Sequence, residues 1–325
     1  MKALQAYFAE TGGPEVIRWR EVELPPPGPG EVLVEHDAVG LNFIDTYHRS
    51  GLYPAELPSP IGMEAAGVVA AVGTGVTGLA PGDRVATMGP SRGAYATARL
   101  VPARELFKLP DDIDARTAAA SLLKGCTAEF LAERAATPRA GEWVLVHAAA
   151  GGVGQILVQW LAGLGVRVIG TASSADKQEL ARAAGAELVV AANAFDLARR
   201  VREATGGAGV RVAYDGVGAA TWQSSLAATG RRGTIVSFGN ASGPVAGVNL
   251  GVLAGHGSLY VTRPTLFDYY ATPAEAQAGV ERLWAMIRSG KVRIAVGQTY
   301  PLLHTEQAHR DLEARRTTGS TLLLP

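Results

Sequence analysis

Up to about residue 124 the apolar positions come in short runs broken by glycine and proline. Val32–Val34, Ala66–Val72 and Arg84–Ala86 are β-like segments, and Gly73, Gly75, Gly78 and Gly82 punctuate the turns. Strands this short and closely spaced predict a small antiparallel barrel. The run Pro25–Gly30 reads as a stiff turn, because proline removes a ladder donor and fixes φ.

From residue 125 the texture changes. Trp143–Ala149 is a continuous apolar strand, the pattern of a strand covered on both faces. Val153, Ile156, Leu157, Trp160, Leu161 and Leu164 follow at helical spacing, with Gly165 just past the end. The alternation continues through Val166–Thr171, Lys177–Ala184, Leu188–Val190 and Asp196–Ala204, then Val210–Asp215, Thr221–Thr229, Thr234–Gly239 and Leu259–Thr262. Such alternation predicts a doubly wound α/β sheet. Pro273–Ser289 and Glu306–Arg315 read as helices and Thr321–Leu324 as a strand. The expected domains are a dinucleotide-binding unit at 125–265 and a first domain, 1–124, to which the tail, 266–325, returns.

Composition narrows the function. The 325 residues carry 30 Lys+Arg against 30 Asp+Glu, which counts against a broad nucleic-acid footprint. One cysteine, Cys126, permits no internal disulfide. No run approaches the roughly 20 apolar residues that cross a bilayer, and Met1–Glu10 lacks a secretory pattern. The cytoplasm is the expected compartment, with no membrane partner.

The sharpest local signal is Ala149-Ala150-Gly151-Gly152-Val153-Gly154, between the first α/β strand and its helix. It is a dinucleotide-binding turn with alanine in place of the first glycine. Glycine at 151 and 152 lets the backbone approach a pyrophosphate, with Val153 in the first helical turn, and Gly154 lets the helix lie close on the strand. NAD enzymes usually carry an acid at the end of the second strand, to bind the ribose 2′-OH. Here that stretch is Gly170-Thr171-Ala172-Ser173-Ser174, and Asp176 reads as a helix-start residue. Hydroxyls followed by Lys177 suit a 2′-phosphate, so NADPH is the expected cofactor.

Zinc enzymes need converging thiolate, imidazole and carboxylate ligands. The six histidines, His36, His48, His147, His256, His304 and His309, form no such cluster, and no metal is expected. Cys126 reads as a small buried residue and His147 as a core histidine with a satisfied ring. No G-x-S-x-G turn or GxxxxGK[ST] loop is present, which removes support for hydrolase and nucleotide-triphosphatase readings.

Several separate segments together resemble one family. Asn42–Tyr47, Arg49–Pro54, His147–Gly154, Val236–Asn240, Val261–Pro264 and Gly319–Pro325 are similar to the zeta-crystallin-like quinone oxidoreductases, a metal-free branch of the medium-chain dehydrogenases/reductases. The resemblance runs nearly end to end and implies a GroES-like β-barrel domain beside a Rossmann domain. It implies an NADPH:quinone oxidoreductase, with Met63 where zinc-dependent relatives have a histidine ligand. Asn42, Tyr47 and Tyr53 would line the quinone pocket, Asn42 lying beside the nicotinamide. Lys124 and Thr127 would approach the cofactor's ribose and phosphates, and Phe238, Gly239 and Arg263 its nicotinamide half. Ser173, Ser174, Lys177 and Arg315 would surround the 2′-phosphate. Ala192 replaces a tyrosine that the family often packs by the adenosine. A homodimer through the edge strand Leu259–Thr262 is also implied. During hydride transfer Asn42 is expected to donate a side-chain N–H, and Tyr47 or Tyr53 an O–H, to the developing oxyanion. Two other readings stand: a 2-enoyl or enone reductase on the same fold, and a non-catalytic NADPH- or RNA-binding protein.

Overall fold

The computed structural model describes residues 1–325, and the two textures of the sequence become two compact units. The first half supplies β1 (Lys2–Phe8), β2 (Arg18–Glu23), β3 (Glu31–Leu41), helix α1 (Phe43–Ser50) and β4 (Ser59–Pro60). Next come β5 (Glu64–Val72), β6 (Arg84–Thr87), β7 (Ala98–Pro102), β8 (Phe107–Lys108) and α2 (Ala115–Phe130). The α/β half then runs β9 (Trp143–Val146), α3 (Gly152–Gly163), β10 (Arg167–Ala172), α4 (Ala175–Ala183), β11 (Leu188–Ala191) and α5 (Leu197–Ala204). It continues with β12 (Val210–Asp215), α6 (Trp222–Ala228), β13 (Thr229–Ser237), α7 (Gly251–Gly255) and β14 (Tyr260–Thr262). The tail holds α8 (Leu266–Tyr269), α9 (Pro273–Arg288), β15 (Val296–Pro301), α10 (Thr305–Glu313) and β16 (Ser320–Leu324).

In the first unit the long strand β3 is the hub, pairing antiparallel with β5, β7 and β16. Val32 and Val34 alternate inward against Val69, Val85, Val101 and Leu106, the period-two pattern of a half-buried strand. A second cluster joins Phe8, Val39, Leu41, Ile61 and Tyr95 to Leu302 and Leu323 from the tail. Gly40 is required where β3 meets α2, since a Cβ there would lie 2.2 Å from Glu64 Oε2 and 2.3 Å from the Ala119 carbonyl.

The second unit is built on a six-stranded sheet in the order β11-β10-β9-β12-β13-β14, parallel throughout. The direction of winding reverses between β9 and β12, and ligands of such sheets bind beyond the carboxyl ends of the strands at that point. Val144, Leu145 and Val146 of β9 are fully buried, as a strand covered on both faces must be. No helix is long and apolar enough to cross a membrane.

One boundary needs correction. The chain returns to the first unit at Ile294, not at residue 266, so 266–293 belongs with the α/β unit. The reason is packing. Leu283 of α9 fills the space beside Gly125, where a Cβ would approach its side chain to 2.5 Å. Tyr270 Oη donates to Glu129 at 2.9 Å, and Arg282 pairs with Glu133 at 2.6 Å. Val280, Leu283, Trp284 and Met286 are all buried. The other boundary lies at Leu123/Lys124, one residue from the expected position.

Candidate active site and cofactor site

At the end of β9 the chain makes the turn that the glycines announce. Ala148 sits at φ 51°, Gly151 caps α3, and Gly152 and Val153 open its first turn. A Cβ on Gly154 would lie 2.2 Å from the Ala148 carbonyl, so the helix can approach the strand only with glycine here. Alanine at the first glycine position is accommodated on the neighbouring strand: a Cβ on Gly170 would stand 2.9 Å from the Ala149 methyl. Beneath the turn, His147 is buried, its Nδ1 3.3 Å from Thr171 Oγ1 and its Nε2 3.1 Å from Ser225 Oγ. Ser225 in turn donates to Asp215 at 2.8 Å. Both ring nitrogens are satisfied, and burial lowers the histidine pKa.

Ser173 and Ser174 are exposed where β10 ends, and Lys177 is half-buried on α4. Ser174 Oγ caps α4 by accepting the Lys177 backbone N–H at 3.4 Å, which leaves its hydroxyl proton available to an anion. Asp176 lies in the first helical turn, as a helix-start residue should. Ala192 is exposed just past β11, its N–H donating to Ala172 O at 2.9 Å.

Phe238 and Gly239 follow β13. The Phe238 N–H donates to Asp215 O at 2.8 Å, and its ring lies over Gly216, where a Cβ would stand 2.8 Å from it. A Cβ on Gly239 would fall 2.3 Å from the Gly216 carbonyl, so both glycines are needed for this approach. Arg263 Nη1 donates to Ser237 O at 2.9 Å, tying the chain after β14 to the same strand end. Lys124 is buried and Thr127 half-buried on α2. Arg315 is exposed at φ 59° and belongs to the first unit, whereas Ser173, Ser174 and Lys177 belong to the second.

The first unit brings Asn42, Tyr47 and Tyr53 together on and beside α1. Asn42 begins the helix and its N–H donates to Asp45 Oδ2 at 2.9 Å. Gly51, at φ 81°, ends it and turns the chain so that the Tyr53 N–H donates to Tyr47 O at 3.0 Å. The two phenol rings meet edge-on with centroids 5.2 Å apart. One expectation meets a competing contact. Asn42 Nδ2 donates to Glu64 Oε2 at 2.8 Å and to Gly40 O at 3.3 Å, so the amide N–H groups are directed inward. A carboxylate and a carbonyl can only accept, which fixes the amide orientation. Both amide N–H groups of Asn42 are therefore engaged within the first unit.

Two further groups lie outside the expected site. Arg49 donates to His309 Nδ1 at 2.9 Å, which places the imidazole proton on Nε2, directed at Tyr95 Oη 3.1 Å away. Tyr95 donates to Asp45 Oδ2 at 2.8 Å, and Arg49 also pairs with Glu313 at 2.6 Å. This buried chain links α10 to the start of α1. Burial and the Arg49 charge hold His309 down at about 3, while burial and Asp45 push the Tyr95 phenol well up. The second group is His48, edge-on to Tyr53 at 5.8 Å and accepting from Arg92 at 3.3 Å. Its position directly after Tyr47 was a usable signal; Arg92, 44 residues on, offered none.

No three His, Cys, Asp or Glu side chains gather where a metal could be held. Met63 and Cys126 are both buried.

Comparison with known proteins places this geometry. Residues 28–111 match the alcohol dehydrogenase GroES-like domain, and residues 152–277 match the family described as zinc-binding dehydrogenase. The chain is 51% identical to a quinone oxidoreductase of Pseudomonas aeruginosa, over 99% of this chain and 100% of that one. It is 42% identical to a 2-haloacrylate reductase of a Burkholderia species, over 99% of each. A crystal structure of Escherichia coli quinone oxidoreductase complexed with NADPH superposes with a TM-score of 0.97 at 46% identity, covering 99% of this chain and 100% of that one. With relatives of this identity matched from end to end, the chain belongs to the quinone oxidoreductase family of medium-chain dehydrogenases/reductases.

Proposed function

We propose that this chain is an NADPH-dependent quinone reductase that works without zinc. The observation that carries the reading is one chain holding both the Ala148–Gly154 turn and the Asn42, Tyr47 and Tyr53 group, in a family that includes a quinone oxidoreductase solved with NADPH. When bound, NADPH supplies the hydride. The N-terminal N–H groups of α3, at Gly152 and Val153, meet the pyrophosphate charge, and Gly151 keeps the approach open. Ser173, Ser174 and Lys177 receive the 2′-phosphate, with Lys124 and Thr127 on the ribose and phosphates. Phe238, Gly239 and Arg263 serve the nicotinamide half. Tyr47 and Tyr53 form flat walls for the acceptor, and the Tyr47 hydroxyl is the donor for negative charge developing on its oxygen. Asn42 anchors the helix that carries Tyr47.

The zinc-free reading is supported, despite the name of the family matched over residues 152–277, by the lack of any assembled ligand set. We place two copies together through β14, the edge strand, where Tyr260 and Val261 are 59% and 41% exposed. Cytoplasm is the compartment that fits the single cysteine.

A second reading, reduction of a conjugated enone, is favoured by the 42% identical 2-haloacrylate reductase. Following NADPH consumption by chelator-dialysed protein separates the alternatives. Turnover of p-benzoquinone well above that of crotonyl thioesters and alkenals is the expected result. Turnover of the alkenals alone, or activity that returns only with added zinc, would reject the reading.

A further inference from the structure

Arg92 lies in the connection between β6 and β7, and this connection is firmly held. Ser91 donates through both its backbone N–H and its hydroxyl to Glu105, at 3.0 and 2.8 Å, and its carbonyl accepts from Arg99 at 3.0 Å. Glu105 and Arg99 are only 6% and 4% exposed, so the base of the connection is built into the core. Arg92 itself is half-buried and donates to His48 Nδ1 at 3.3 Å. The guanidinium thus stands at the end of a row of rings, Tyr47 to Tyr53 at 5.2 Å and Tyr53 to His48 at 5.8 Å.

What makes this arrangement unusual is its charge. Burial and Arg92 hold His48 down at about 4, so the imidazole is neutral at physiological pH and offers no counter-charge. Arg92 makes no ion pair with any carboxylate, whereas Arg49 on the same helix as His48 is paired with Glu313. A half-buried guanidinium with a neutral partner keeps most of its planar fork of donors for an oxyanion, which it can hold through two parallel hydrogen bonds. Beside it lie aromatic faces suited to a flat conjugated ring.

We infer that Arg92, steadied by His48, sets acceptor specificity, and that the site favours quinones bearing a carboxylate or sulfonate substituent. This rests on the reading of the chain as a quinone reductase. A surface arginine exposed to solvent would confer no such preference.

The test compares naphthoquinone sulfonate with unsubstituted naphthoquinone in the full-length protein and its Arg92→Gln and Arg92→Lys variants. The inference predicts that Arg92→Gln lowers the ratio of kcat/KM values, sulfonate over neutral, by about tenfold, the loss of one charge-assisted contact. Arg92→Lys should restore much of that ratio. Calorimetric titration of naphthalene sulfonate, which cannot be reduced, should show a parallel loss of affinity without turnover. Failure of the unmutated protein to reduce neutral naphthoquinone would sink the quinone-reductase reading and leave the calorimetric comparison to decide on Arg92. A ratio and an affinity both unchanged within about twofold in Arg92→Gln would overturn the inference.

Discussion

Asn42 Nδ2 lies 2.8 Å from Glu64 Oε2, an amide donor committed to a buried carboxylate. Glu64 Oε1 accepts the Leu123 N–H at 2.7 Å, so one side chain ties together the end of β3, the start of β5 and the middle of α2. Asn42 therefore holds the start of α1 in place.

Replacing Asn42 should show this in stability. Asn42→Ala removes a hydrogen bond to a buried carboxylate and should cost about 1.5–3 kcal/mol. Asn42→Asp sets a second carboxylate against Glu64 and should cost more than Ala. Calorimetric melting of the three proteins checks the order, and an Asp variant as stable as the unmutated protein would contradict it.

The two tyrosines should separate by substitution. The Tyr47 side chain is 8% exposed and packs on Phe43 and Tyr53, whereas Tyr53 is half-buried. Tyr53→Phe should leave kcat nearly unchanged and Tyr53→Ala should raise KM for the quinone, because Tyr53 acts through shape. Tyr47→Phe should lower kcat by about tenfold or more if its hydroxyl meets developing charge. Unchanged kcat and KM in the double Phe variant would remove both hydroxyls from the chemistry.

Acid stability should follow the buried histidines. His36 and His309 are held at about 3 and His48 at about 4, each chiefly by burial, against an ordinary value of 6.5. Burial lowers His147 as well. Below 6.5 the unfolded chain binds more protons than the folded one, so stability is full above that pH and is lost on descent toward the folded values. Melting temperature should hold near neutrality and decline between about pH 6.5 and about pH 4. A flat profile across that window would contradict the neutral, buried state of these rings.

Pairing through β14 predicts a dimer mass by light scattering at micromolar concentration. A charge at the exposed edge, Val261→Asp, should shift the protein toward monomer, since burying an unpaired carboxylate in a strand interface is costly. A monomer mass for the unmutated protein would contradict the pairing.

Much of this architecture is legible in the sequence because it is local. The apolar run of β9, the glycines after it and the alternation to β14 follow from periods and turn chemistry that neighbouring residues encode. The placement of α9 does not, because the amphipathic pattern shows that the helix buries a face, without showing against what. The same limit applies to Asn42. Its residue type suggested a donor to substrate, and only the fold brings Glu64, 22 positions away, within reach of the amide. Likewise Arg49, Tyr95 and His309 meet across separations of 214 and 260 residues, a link that no motif announces.

The most direct measurement of the central claim is kcat/KM for NADPH and for NADH, with p-benzoquinone as the acceptor. The account predicts turnover with NADPH preferred by about tenfold or more, the contribution of one charge-assisted phosphate contact. Lys177→Ala should narrow that preference by weakening NADPH selectively. Equal values for the two cofactors, or no quinone-dependent oxidation of either, would contradict it.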